Sequence, residues 1–162
     1  MKLHPIQHDL PGTLWCGPAA LSACCGVPTS QIHRAIKIVR GDSRRPVKGV
    51  NNGTLVKAAE RFGYRLLPIW DQWIADPQGG MRERKQPTLA AFTKDFSAYM
   101  KDAPVIINVT GHYVVVHGRT FVDNQVKIPM SLKKAPGRRR RVKRAWQVVP
   151  MGEFPVPQTV LT

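Results

Sequence analysis

The sequence predicts an α+β domain in which several helices come first and an antiparallel sheet follows. Up to about residue 102, apolar segments of helical length alternate with capping residues, glycines and prolines. After Pro104 the apolar residues are β-branched and recur with a period of two, which is typical of strands. The length of 162 residues and the hydrophobic content of 43% fit one hydrophobic core. We therefore expect a single compact domain.

Four helices are expected in the first part of the chain. The first spans Cys16–Cys25, where Pro18 occupies the first turn and Gly26 follows the last turn. Its residues leave almost no polar face, so this helix should be buried. The others are expected at residues 31–40 with Thr29 or Ser30 as the cap, at about 54–62 with Thr54 as the cap, and at 89–101 with Thr88 as the cap.

Four strands are expected as well, one between the third and fourth helices and three after Pro104. The strand between the helices covers residues 64–70. Residues 1–12 and 70–86 contain prolines, glycines or charged runs that interrupt both periods, so we expect them to be irregular. The last three strands are expected at Val105–Val109, His112–His117 and Thr120–Val122.

A tight two-residue turn at Gly118 and Arg119 fits the connection between the last two strands. Because side chains alternate along each strand, this turn puts His112 and Asp123 on the same face as diagonal neighbours. Asn124 then points to the opposite face. A three-residue turn would exchange the roles of Asp123 and Asn124, and this alternative stays open.

Positive charge is concentrated in one segment near the C-terminus. The net charge is +15, and residues 133–144 hold eight of the 25 Lys and Arg side chains and no acid. Such a run must be solvated or paired with anions, so we expect it to contact nucleic acid or another polyanion in a salt-dependent way. A solvated loop without a partner is the alternative. The candidate contacts are Lys133, Lys134, Arg138, Arg139, Arg140, Arg141, Lys143 and Arg144.

The sequence indicates a cytoplasmic protein, or one packaged in a virion if its source is viral. No apolar run reaches the roughly 18 residues that cross a bilayer, and the N-terminal segment lacks the apolar stretch of a secretion signal. The three cysteines, Cys16, Cys24 and Cys25, are an odd number with two adjacent, which favours free thiols. No zinc-binding spacing is present, and we expect no metal and no cofactor.

Cys16 is the candidate nucleophile. A thiol at the start of a buried helix has its thiolate stabilised by the positive end of the helix dipole and by unpaired N–H groups. Gly17 beside it would let a substrate backbone approach the sulfur. The thiol also needs a base, and His112 is the best candidate, because it opens a strand of tyrosine and valines just after Gly111. The less constrained histidines are His4, His8, His33 and His117.

Asp123 completes the set as the group that orients the base. With Cys16 and His112 it supplies the thiol, imidazole and carboxylate of an activated nucleophile. A tetrahedral oxyanion also needs hydrogen-bond donors. The candidates are the N–H of Cys16 and the side-chain amide of Gln7, which is the only Gln or Asn upstream of Cys16.

These residues resemble the motifs of the papain-like cysteine peptidases, especially the bacteriocin-processing branch. The matches are Cys-Gly-Pro-Ala at residues 16–19, Gly-His-Tyr-Val-Val-Val at residues 111–116, and Asp123. The resemblance covers about residues 7–125 and implies a papain-like fold. It also implies a nucleophilic cysteine, a histidine base, an orienting aspartate and an upstream glutamine in the oxyanion hole. By position these are Cys16, His112, Asp123 and Gln7, with Gln7 farther from the cysteine than is usual in the family.

The resemblance and the charge distribution together predict the organisation and the function. We expect a papain-like catalytic domain at residues 1–132, a basic segment at 133–144 and an extended Pro-containing strap at 145–162. The leading hypothesis is a cysteine peptidase-like hydrolase, of a kind similar to proteins of bacteria and their viruses. It would cleave a peptide or isopeptide bond in a peptide or protein substrate through a thioester. Two alternatives stay open: a non-catalytic structural or virion protein that binds nucleic acid through the basic segment, and an acyl transferase.

Overall fold

The computed structural model describes residues 1–153, and within them the protein combines helices with an antiparallel sheet, as predicted. No helix in this part of the chain combines the length and apolar character needed to cross a bilayer. The helices are α1 (Cys16–Cys25), α2 (Thr29–Arg40), α3 (Asn52–Glu60), α4 (Leu89–Asp95) and α5 (Ser97–Asp102). The strands are β1 (Tyr64–Asp71), β2 (Trp73–Ala75), β3 (Met81–Glu83), β4 (Val105–Val109), β5 (His112–His117), β6 (Thr120–Val122), β7 (Met130–Ser131) and β8 (Val142–Pro150).

Six of the described strands form one sheet in the order β1-β8-β4-β5-β6-β7. Every neighbouring pair is antiparallel, and β2 and β3 form a separate hairpin. The bounds of β4, β5 and β6 are those predicted. His117 pairs with Thr120, so the turn at Gly118 and Arg119 has two residues and the predicted register is confirmed.

The last strand corrects the expected C-terminal organisation. β8 lies between β1 and β4, so residues 145–150, predicted as the start of a strap, belong to the interior of the sheet. Residues 142–144 of the predicted basic segment also lie in β8. Three side chains of β8, Val142, Ala145 and Val148, are fully buried. The neighbouring arginines and the prolines around residue 150 concealed this burial pattern in the sequence. Residues 154–162, the rest of the predicted strap, lie outside the described residues.

Helices cover the sheet on both faces. α1, α2 and α3 pack on one face, where Ile106 and Val115 join their core cluster. α4 and α5 pack on the other face, where Ile107, Val114 and Val116 join a second cluster. A strand that is buried on both faces needs apolar residues at every position, which explains the nearly uninterrupted valines of β5.

Three elements differ from the prediction for local reasons. The single helix expected at residues 89–101 is divided into α4 and α5, because Phe96 departs from helical geometry with φ −104° and ψ 20°. α3 begins before Thr54, since the side chain of Asn51 caps the helix by accepting the Thr54 N–H at 2.8 Å. Residues 70–86, expected to be irregular, contain the β2–β3 hairpin.

Gly17 is a point of close packing between α1 and the segment that precedes α3. A Cβ atom at residue 17 would lie 2.8 Å from Cγ2 and 2.9 Å from Cβ of Val50, closer than packed carbon atoms approach. The glycine therefore has a packing role beside Val50, which differs from the substrate approach expected from the sequence.

We expect Gly17→Ala to lower the free energy of unfolding by about 1–3 kcal/mol, because the added methyl group forces Val50 or the helix to move. Urea denaturation measures this difference. Gly49→Ala is the matched control, because nothing lies within 4 Å of a Cβ at that position. Val50→Gly, which removes both close atoms, should relieve much of the penalty in the double variant. Equal losses in Gly17→Ala and Gly49→Ala would contradict the packing role.

Candidate active site

Cys16 is the first residue of α1, which is buried along most of its length. The sulfur is therefore placed at the end of a helix whose position is fixed by core packing, and the residue itself is half-buried. The first N–H groups of a helix have no partner within it and carry its positive dipole end. Negative charge on the sulfur is favoured at this position.

His112 and Asp123 form the predicted hydrogen bond at the start of β5 and just after β6. His112 Nε2 lies 3.0 Å from Asp123 Oδ2. The other carboxylate oxygen, Oδ1, accepts the N–H groups of Gln125 at 2.9 Å and Val126 at 2.8 Å. Since Asp123 is 3% exposed, these bonds fix the carboxylate, and the carboxylate fixes the ring. Of the two candidates, Asp123 and not Asn124 is therefore the residue that is hydrogen-bonded to the His112 ring.

Cys16 is the second group that acts on the His112 ring. Because Asp123 occupies Nε2, the ring nitrogen left to face the sulfur is Nδ1. Bonds to Asp123 and Cys16 raise the pKa of His112 to about 9, although burial of the ring opposes this. Burial also raises the pKa of the Cys16 thiol, but the hydrogen bond from His112 and the N–H groups of Tyr113 and Gly17 outweigh it, so the net pKa is lowered.

The Asp123 carboxyl group stays ionised for related reasons. Burial raises its pKa, but the hydrogen bonds from His112 and from the N–H groups of Val126 and Gln125 lower it by more. The site thus favours a thiolate, an imidazolium and a carboxylate in series. At pH values below the pKa of Cys16 the thiolate is protonated, and at pH values above about 9 the His112 imidazolium loses its proton.

The other two cysteines lack this environment. Burial raises the pKa of Cys24 far above its ordinary value and that of Cys25 to about 12. All three are free thiols, so Cys16 is the one in which the thiolate is favoured.

Gln7 does not lie beside Cys16, which corrects the predicted oxyanion donor. Its side-chain amide donates to the carbonyl oxygen of Gly26 at 3.2 Å, and its backbone N–H donates to Ser22 Oγ at 3.2 Å. Gly26 caps the C-terminal end of α1, about 15 Å along the helix from its start. The segment around Gln7 therefore contacts the C-terminal end of α1, and the residues between Gln7 and Cys16 lead back to the start of the helix.

Asn124 ties the end of β6 to the start of α1, a contact that the sequence did not indicate. Its Nδ2 donates to the carbonyl oxygen of Leu14 at 3.0 Å, two residues before Cys16. Asn124 is therefore a positioning residue that joins the strand end bearing Asp123 to the helix bearing Cys16.

A second polar network holds the segment before α3 against β5. The hydroxyl group of Tyr113 donates to Asn52 Oδ1 at 2.6 Å and lies 3.1 Å from the carbonyl oxygen of Val50. The same Asn52 oxygen accepts Asn108 Nδ2 at 2.9 Å. Burial and the negative charge of Cys16 raise the pKa of Tyr113 to about 12, so its hydroxyl remains a donor.

The eight predicted cations do not form one site. Arg144 pairs with Asp71 at 3.1 Å, and Arg141 donates to the carbonyl oxygen of Gln86 at 3.1 Å. Lys143 lies with Arg144 in β8. Arg140 belongs to a pocket at the candidate active site, whose lining residues are Thr110, Gly111, His112, Asn124, Gln125 and Arg140. The remaining four are Lys133, Lys134, Arg138 and Arg139, between β7 and β8.

Among residues 1–153, no group of three or more His, Cys, Asp or Glu side chains is arranged to hold a metal ion. Comparison of the chain with protein-family models, with curated proteins and with solved structures gives no match. The chemistry of the site is therefore inferred from its own geometry, which is that of a thiol paired with an oriented imidazole.

We expect Cys16 to react with iodoacetamide well below the pH at which an ordinary thiol reacts, because its pKa is lowered. Cys24 and Cys25 should remain unmodified in the folded protein. Asp123→Asn should move the midpoint of the Cys16 rate profile upward by about 1–2 pH units, because the imidazolium loses its carboxylate partner. Peptide mass spectrometry across a pH series measures each rate.

Asp42→Asn is the matched control for this substitution, since Asp42 pairs with the exposed Arg45 and should leave the profile unchanged. Equal reaction rates at the three cysteines, or a midpoint that Asp123→Asn does not move, would contradict the thiolate–imidazolium assignment.

Proposed function

We propose that this protein is a cysteine hydrolase of papain-like fold that cleaves a peptide or isopeptide bond through a thioester on Cys16. The observation that carries the proposal is the series of Cys16, His112 and Asp123, in which Asp123 is hydrogen-bonded to His112 and the His112 ring acts on the thiol. The thiol pKa is lowered and the imidazole pKa is raised. A nucleophilic thiol, a base and an orienting acid are the parts that this chemistry needs. A buried helix that begins with the cysteine and packs against an antiparallel sheet supports the papain-like arrangement.

In the first half of the reaction the Cys16 thiolate attacks the carbonyl carbon of the scissile bond. The carbonyl π electrons move to oxygen, and the N–H of Cys16 at the start of α1 is the donor available to that oxyanion. The oxyanion electrons then re-form the C=O bond as the C–N bond breaks, and the His112 imidazolium gives its proton to the leaving nitrogen. The amine departs, and the acyl group remains on sulfur as a thioester.

In the second half, neutral His112 takes a proton from water while the water oxygen attacks the thioester carbon. The C–S bond breaks, the acid product leaves, and the thiolate and imidazolium are restored. Asp123 keeps the ring oriented throughout and favours its charged form. An amine in place of water would give acyl transfer by the same steps, so the acceptor that enters the site decides between the two outcomes.

Cys16→Ala is expected to abolish turnover of an activated ester such as p-nitrophenyl acetate, while the far-UV circular dichroism spectrum is unchanged. His112→Ala should reduce turnover by at least about 100-fold, because no group then moves the proton. Acetylation should appear on the peptide that contains Cys16, and a peptide library followed by mass spectrometry would then define the natural bond.

Cys25→Ala is the matched control, because burial raises the pKa of that thiol and the variant should keep full activity. Turnover by Cys16→Ala equal to that of the parent, or acetylation at another residue, would contradict the proposed function.

A further inference from the structure

A separate pocket of about 400 Å³ is lined by four cations from three parts of the chain. Lys94 comes from α4, Arg119 from the turn between β5 and β6, and Lys133 and Arg138 from the segment between β7 and β8. We call this the cation pocket. Its other lining residues are Ala90, Thr93, Ser97, Gly118 and Leu132, so neither an acidic side chain nor the Cys16, His112 and Asp123 series contributes to it.

Backbone hydrogen bonds hold the three parts of the cation pocket together. The N–H of Leu132 donates to the carbonyl oxygen of Arg119 at 2.7 Å, which joins the segment after β7 to the β5–β6 turn. The N–H of Ala90 donates to the carbonyl oxygen of Arg138 at 3.0 Å, which joins the segment before β8 to α4. The four cations therefore lie around one pocket because backbone hydrogen bonds of the fold hold their three chain segments together.

The positive charge of the cation pocket has no internal counter-charge. Within residues 1–153 none of the four cations makes an ion pair, whereas Arg45 and Arg144 pair with Asp42 and Asp71. Like charges around one pocket repel each other, and the net charge of +15 adds to this repulsion. A ligand with several negative charges would offset it.

We propose that the cation pocket binds the phosphate backbone of a nucleic-acid duplex. Lys and Arg side chains supply the charge, and the exposed hydroxyl of Ser97 can donate to a phosphate oxygen. No aromatic side chain lines the pocket, so base stacking, on which recognition of single strands relies, is absent from it. Exposed Lys134 and Arg139 continue the basic segment beyond the pocket, as contacts to successive phosphates of a polymer require.

This site differs from the uniform basic segment expected from the sequence. Lys133 and Arg138 belong to both, but Lys94 and Arg119 lie outside residues 133–144 and are recruited by the fold. Arg144 is neutralised by Asp71 and lies outside the cation pocket. Duplex binding at this pocket goes beyond the proposed hydrolase activity and does not depend on it.

Two quadruple variants that remove the same charge test the cation pocket. The first is Lys94→Gln, Arg119→Gln, Lys133→Gln and Arg138→Gln. The control is Arg44→Gln, Lys48→Gln, Lys57→Gln and Arg82→Gln, at four exposed cations outside the pocket. Fluorescence anisotropy with a labelled DNA duplex gives Kd over a range of NaCl concentrations, and circular dichroism checks the fold of each variant.

We expect the pocket variant to weaken binding by at least about tenfold and to reduce the slope of log K against log salt by about 3–4, since each phosphate that the protein neutralises adds about 0.9 to that slope. The control should change the slope by less than about 1. A variant with Arg119→Lys and Arg138→Lys should keep most of the affinity, and Cys16→Ala should bind as the parent does.

Equal losses of affinity in the pocket variant and the control would overturn the proposal, because binding would then follow net charge alone. Parent-like binding by the pocket variant would also overturn it. Binding of inorganic polyphosphate that depends on the four cations, without such dependence for the duplex, would overturn the assignment to nucleic acid. Because duplex binding does not need a reactive thiol, an inactive Cys16 would leave this result unaffected.

Discussion

Burial of α1 between the sheet and the other helices is the constraint on which the candidate active site depends. Ala19, Ala20, Leu21 and Ala23 are at most 1% exposed, and the three alanines leave room for the neighbouring elements to approach closely. A helix held by packing along its length has its first residue held as well. The position of Cys16 beside the start of β5 is therefore a product of the core, to which Asn124 and Gly17 add local contacts.

The proposed chemistry then follows from the different surroundings of three ionisable groups. Asp123 is buried but accepts two backbone N–H groups, so its charge is retained and stabilises the imidazolium. The imidazolium in turn stabilises the thiolate, which burial alone would disfavour. Cys24 shows the contrast, because it is fully buried without a cationic partner and its pKa rises. Oriented partners, more than exposure, distinguish the reactive thiol.

The segment between β7 and β8 connects the fold to the second proposed site. Its backbone carbonyl groups accept hydrogen bonds from the start of α4. The N–H of Leu89 donates to the carbonyl oxygen of Arg140, and the N–H of Ala90 donates to that of Arg138. The unpaired donors of that helix end are thereby satisfied by backbone, while the side chains of Arg138 and Arg140 are exposed and that of Arg138 donates to the carbonyl oxygen of Lys133. The same segment thus serves the packing of α4 and the positive charge of the cation pocket.

Local patterns predicted the parts of the structure that short-range physics decides. The bounds of α1, β4, β5 and β6 follow from capping residues, periodicity and a two-residue turn, and that turn fixes the register that joins His112 to Asp123. The place of Gln7 could not be predicted, because a loop of eight residues between it and Cys16 permits many paths. The pairing of strands distant in the chain could not be predicted either. β8 follows a run of arginines and ends at a proline, which hid it as a strand, and its place between β1 and β4 depends on pairing with strands far away in the sequence.

The most direct test of the proposed thiolate–imidazolium pair is an NMR titration of the His112 ring in the parent and in Cys16→Ala. We expect a pKa of about 9 in the parent, because Asp123 and Cys16 both favour the charged ring, and a clearly lower value when the sulfur is removed. A pKa near the ordinary histidine value of about 6.5 in the parent, unchanged in Cys16→Ala, would contradict the pair and the hydrolase activity proposed from it.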